Sequence, residues 1–184
     1  MILLRSKMLW RLHEYWDRKR GSSRWMPKQG MDPAELVDIL PNLFMLDAIG
    51  VPPRFRVRLV GTSVVRLVGR DNTGRYFDDF VERDKQAAAL APYIAVIDLE
   101  RPIAKRGALI WLDNRSWIET EALFFPVSRS GLATDLILGA TIELGREARL
   151  RSGAASRSVE YDQAQWGPDF AFAPEAVPTL AAAQ

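Results

Sequence analysis

The residues best equipped for chemistry are arginines. Arg54, Arg56 and Arg58 alternate with Phe55, Val57 and Leu59, and Arg66, Arg70 and Arg75 follow soon after. A guanidinium presents a planar fork that grips a carboxylate or phosphate through two parallel hydrogen bonds. Arg54, Arg56, Arg58, Arg70 and Arg75 are therefore the candidate ligand-binding residues. The same row has a plainer use, standing in solvent or pairing with acids such as Glu119 and Glu121 across a sheet.

Other arrangements point to less. Gly69-Arg-Asp-Asn-Thr-Gly74 has the glycines of a phosphate loop but neither the spacing nor the lysine of one, so it reads as a turn. Asp78 and Asp79, with Glu82 and Asp84, lack the spacing of a calcium loop and read as a solvated acidic helix start. The chain has no cysteine, which removes disulfides, thiolate catalysis and cysteine-ligated metal sites together. Its one histidine, His13, sits beside Leu12 on a helical stretch and reads as a surface residue. No serine or threonine stands in a nucleophile-elbow context. We assign no catalytic and no metal-binding residue.

The elements around the arginines can be read in turn. Arg54 to Val60 has the period of a strand with one apolar and one wet face. Gly61 breaks it, Thr62 can cap a short helix over Ser63 to Val68, and Gly69 can stop that helix. Asp71 to Gly74 is a turn signal. Upstream, Asp32-Pro33 begins a short helix that ends at Pro41, and Leu43 to Ile49 forms a strand joined to the arginine strand by Gly50-Val-Pro-Pro53. Downstream, a longer helix runs from Asp84 to Leu99, kinked or divided at Pro92. Three strands follow, Ile103 to Leu112, Trp117 to Val127 and Thr134 to Leu144, the last half-buried with Leu136, Leu138, Ala140 and Ile142 on one face.

Leu4, Met8, Leu12, Tyr15 and Trp16 recur at helical spacing ahead of Gly21, opposite Arg11, Glu14, Arg18 and Lys19. Such a stripe must be covered, because an isolated helix of this length is marginal in water. These five residues are the candidate interface, with a second copy or a protein partner. The competing placement is the outer face of the chain's own sheet, where Ile137 and Trp117 offer apolar cover.

Composition agrees with one modest core: 184 residues, 48% hydrophobic and 26% charged. The net charge is +2, and the basic excess in the first thirty residues is read as a solvated helix face rather than a nucleic-acid site. No apolar run approaches the ~20 residues of a membrane span and no signal peptide is evident, so a cytoplasmic protein is expected. We divide the chain into an N-terminal helix and linker (1–30), a main domain (31–146) and a largely disordered tail (147–184). In the tail, Tyr161, Trp166, Phe170 and Phe172 could dock on a surface.

Leu9-Trp10, Tyr15-Trp16, Met26-Pro27, Asp32-Pro33-Ala-Glu-Leu36, Leu40-Pro41, the run from Arg54 to Thr62 and the run from Gly69 to Arg75 occur in an order that resembles a family of single-domain PAS proteins from alphaproteobacteria. The resemblance covers roughly residues 8 to 145. It implies an α+β fold, a five-stranded antiparallel sheet cupping helices over a small cavity, with the amphipathic helix as an N-terminal addition. It also implies sensing of a small ligand and dimerisation or partner contact; with no catalytic set in the sequence, we expect no catalytic output. The alternative is a small enzyme acting through a carboxylate in that cavity. The missing cysteine excludes a cysteinyl-flavin adduct or a thioester-linked chromophore, and the position of His13 argues against haem. Non-covalent flavin or a small organic acid stays open, and the cofactor is unknown.

Overall fold

Residues 6–109, 118–144 and 171–172 are described by the computed structural model of the chain. The first element is α1 (Lys7–Arg20), capped by Ser6, whose side chain accepts from the Leu9 N–H, and closed by Gly21. A two-residue strand, β1 (Met26–Pro27), follows. Asp32 then accepts from the Ala34 N–H and starts a single 3-10 turn, Pro33–Leu36, where the sequence predicts a short α-helix.

The strands β2 (Leu43–Ile49) and β3 (Arg54–Val60) form the expected antiparallel hairpin. The helix α2 spans Thr62–Val68. Thr62 is its first residue and not its cap; Gly61 holds the cap position without a side-chain bond, and Gly69 ends the helix in the left-handed conformation, φ 90. Gly61 is required for a different reason. A Cβ there would fall 2.3 Å from the Leu40 carbonyl oxygen and 2.4 Å from that of Pro41.

The helix α3 (Arg83–Leu99) runs unbroken through Pro92, and the remaining strands are β4 (Ile103–Ala108), β5 (Glu119–Ser128), β6 (Leu136–Glu143) and β7 (Ala171–Phe172). The sheet order is β3-β2-β6-β5-β4. All four of these pairings are antiparallel, which is the expected five-stranded sheet. Two short parallel additions have no signal in the sequence: β1 pairs with the end of β5, and β7 lies against β4 at Ile103 and Ala104. Apart from β7, the tail lies outside the described residues, as does the expected end of β4 at 110–112.

The sheet has two covered faces. On the inner one, Phe44, Leu46, Phe55, Val57, Phe124 and Ile137 meet Val64 of α2, Phe77 and Val81, and Tyr93 and Val96 of α3. On the outer one, Leu9, Leu12, Tyr15 and Trp16 of α1 pack on Leu43, Met45, Leu123, Phe125, Leu136 and Leu138. Burying Leu9 and Leu12 completely contributes about 1.5–3 kcal/mol each. The Trp16 indole N–H donates to the Pro126 carbonyl at 3.0 Å, and the Tyr15 hydroxyl accepts from the Asp32 N–H at 2.8 Å. Glu121, fully buried on the same face, accepts from the Ser6 N–H and pairs with Arg106.

This packing corrects two expectations. β6 is buried on both faces along most of its length, not half-buried, because α1 supplies a second cover. Leu12, Tyr15 and Trp16, expected to meet a partner, are 0–3% exposed and consumed by the chain's own core. Met8 is half-buried against the same cluster, and Leu4 lies outside the described residues. The outer-face cover comes from Leu136 and Leu138 rather than Ile137, which points inward; Trp117 is also outside the described residues.

Candidate functional site

Strand alternation turns Arg56 and Arg58 of β3 away from the inner sheet face, while Arg70 and Arg75, beyond α2, lie over Phe80 beside a cavity on that face. Phe55 and Val57 are buried inward, so Arg56 and Arg58 stand on the other side, whereas Arg54, at the start of the strand, turns to the Tyr76–Asp79 segment. Arg56 and Arg58 reach Asp47 of β2 at 3.0 and 3.4 Å, and Arg129 pairs with the same carboxylate. Asp47 has only 3% of its side chain exposed. Burial pushes its pKa up, but the hydrogen bond from Arg56 and the charges of Arg129 and Arg58 outweigh that and hold it below the usual value. Arg54 binds Asp78 and Asp79 at 2.9 and 3.0 Å and lies over the Tyr76 ring. The acids that answer these arginines are therefore Asp47, Asp78 and Asp79, not Glu119 and Glu121: β5 lies two strands away from β2 and three from β3, and Glu121 is held by Arg106.

Arg70 and Arg75 come to a different place. Both guanidiniums sit over the Phe80 ring, 5.4 Å from its centroid, at the rim of a cavity between the inner sheet face and α2, α3 and the Asn72 turn. The cavity encloses about 80 Å³. Its wall is apolar, formed by Phe44, Leu46, Val57, Val64, Phe77, Tyr93 and Phe124 among others. Burial without a compensating charge pushes the Tyr93 hydroxyl up, so it stays a neutral phenol.

Room for the cavity comes from small residues on the inner sheet face. Ala122 presents only a methyl group between Lys105 of β4 and Thr141 of β6. At Gly139 the Phe44 ring folds over the bare backbone, and a Cβ would fall 2.2 Å from its Cζ. Polar groups interrupt the wall: Lys105, Thr120 and Thr141 on neighbouring strands, with Arg70 and Asn72 from beyond α2. Thr120 donates to the Gly107 carbonyl, and Asn72 accepts from Arg75. Lys105 is half-buried, and desolvation pushes its pKa down.

Sequence reasoning misses Lys105 because it sits in the dipeptide Lys105-Arg106, which reads as two exposed cations on a strand end. The available signal is parity: Ile103 and Lys105 share a face, and Ile103 is fully buried. His13 is likewise not the surface residue its sequence context suggests. Its ring lies 6.0–6.5 Å from those of Trp10, Trp16 and Phe125, and burial lowers its pKa.

No aspartate or glutamate among the described residues lines the cavity. Among the described residues no cluster of metal-ligating side chains occurs, and no helix is long and apolar enough to cross a membrane.

No curated protein matches the chain. Among solved structures it is similar to a Rhodobacter sphaeroides LOV protein, with 22% identity, 65% of this chain and 72% of that one covered, and a TM-score of 0.44. It is also similar to a light-oxygen-voltage domain studied through a flavin analogue, with 14% identity, coverage of 66% and 94%, and a TM-score of 0.42. The PAS domain family model matches residues 4–142, from ahead of α1 into the last residues of β6. With a match over that much of its length, the chain belongs to the PAS domain family.

Proposed function

We propose that this PAS domain is a cytoplasmic sensory module that takes a small ligand into the inner cavity and passes the signal on by contact with a protein, a second copy included, without a reaction of its own. The observation that carries the reading is the cavity itself: an apolar wall with a few polar groups, the usual chemistry of a small-molecule site. The arginines of β3 support it by contrast, since their charges are already answered by Asp47, Asp78 and Asp79.

Size supports a small ligand. An engineered apolar cavity of about 150 Å³ holds a single benzene ring. A space of about 80 Å³ admits less, and the three fused rings of a flavin do not fit it as it stands.

Native mass spectrometry of gently purified protein tests the reading against Ala122→Leu, which fills the gap in the inner face. The wild type is expected to carry a small extra mass, or to be stabilised by members of a small-molecule panel, and the variant to do neither. Equal behaviour of the two proteins overturns it.

A further inference from the structure

We infer that Lys105 anchors the carboxylate of a short apolar acid whose tail lies against the aromatic wall of the inner cavity; the inference rests on the reading of that cavity as a ligand site. Lys105, Ala122 and Thr141 form one lateral row across β4, β5 and β6. With strands spaced by about 4.8 Å, Lys105 and Thr141 stand about 10 Å apart, and only the Ala122 methyl fills the interval. That is a slot the size of a carboxylate with a cation at one end and a hydroxyl at the other.

The charge of this slot is unbalanced. Among the described residues Lys105 has no hydrogen bond or ion pair, and no acid lines the cavity. The buried acids of the sheet, Asp47 and Glu121, each have a counter-ion. An ammonium drawn away from water without a partner is costly, and a bound anion removes that cost. The lowered pKa of Lys105 has the same origin.

The neighbouring polar groups favour an anion too. Asn72 is buried, its Oδ1 accepts from the Arg75 guanidinium at 3.3 Å, and its amide NH2 is available as a donor. Arg70 lines the cavity as a second cation, so it is the apolar wall and not the charge count that disfavours phosphate. The wall of Phe44, Val64 and Phe124 favours a hydrocarbon tail over a bare inorganic ion, and about 80 Å³ limits that tail to a few carbons.

Isothermal titration of the full chain with sodium butyrate, butyramide and inorganic phosphate provides the test. Butyrate should bind at least tenfold more tightly than either of the others. Lys105→Met keeps the length of the stem and removes the charge, so it should melt no lower than the wild type yet lose about ten- to a hundredfold in butyrate affinity. Arg58→Gln, on the other face of the sheet, should bind butyrate as the wild type does. Equal binding of butyramide, or unchanged affinity in Lys105→Met, overturns the inference and leaves the cavity reading standing. Loss of binding in Arg58→Gln moves the site to the outer face and overturns both. Failure of all three probes overturns the carboxylate assignment, and the mass measurement on Ala122→Leu then decides the cavity by itself.

Discussion

Trp16 stacks on Phe125, ring centroids 5.3 Å apart, while its indole N–H reaches the carbonyl of the next residue, Pro126. One side chain thus fastens α1 to the central part of β5 by a dispersion contact and a directional bond at once. The amphipathic helix is part of the domain's core, and the consequence is measurable. Trp16→Ala should cost about 3–5 kcal/mol in chemical denaturation. Replacing Leu12 and Trp16 together by glutamate should abolish the cooperative transition; a folded monomer from that double variant would show that the helix is an appendage.

Asp47 organises the opposite end of the outer face. Removing it leaves Arg56, Arg58 and Arg129 to repel one another, so Asp47→Asn should destabilise by about 1–2 kcal/mol, a modest figure because the guanidiniums are half in water. The pKa of Asp47 is depressed in the fold, so its contribution is present above the unfolded value of about 3.9 and is lost as pH falls through the folded value. Denaturation of the two proteins across acid pH should show the gap between them closing only below about pH 4. A gap that closes near neutrality would assign the effect to another group.

His13 gives a separate pH signature. Burial among Trp10, Trp16 and Phe125 lowers its pKa, with Asp17 and Glu14 opposing and Arg20 assisting that shift. The unfolded chain therefore binds a proton that the folded chain refuses. Stability from this residue is complete above about pH 6.5 and declines as pH falls below it. Thermal melting at pH 7.5 and 5.5 should show a drop in the wild type that shrinks in His13→Leu. An equal drop in both would place the titration elsewhere.

Much of this architecture is legible in local sequence. The alternation of Arg54 to Val60, the stop at Gly69 and the three late strands are local patterns, and local chemistry decides them. What covers an apolar stripe is not local. Leu12 and Trp16 demand burial equally whether a second copy or β5 provides it, and only the register of β5 against β6 shows that Phe125, Leu136 and Leu138 stand ready on one face. The site is obscured for a similar reason. The five candidate arginines look like one cluster in the sequence, but Arg54, Arg56 and Arg58 are drawn to Asp78, Asp79 and Asp47, and only Arg70 and Arg75 come near the cavity. Lys105 gains its meaning from Ala122 and Thr141, which follow it by 17 and 36 positions and meet it only through strand pairing.

The central claim, that a small ligand enters the space between the inner sheet face and the helices, is tested most directly by amide chemical-shift mapping on isotopically labelled protein. A panel of short organic acids and apolar neutral molecules should perturb Asn72, Lys105, Thr120, Ala122 and Thr141, and leave Asp47, Arg56 and Arg58 unmoved. Perturbations confined to Asp47, Arg56, Arg58 and Arg129, with the inner face unchanged, would contradict the account.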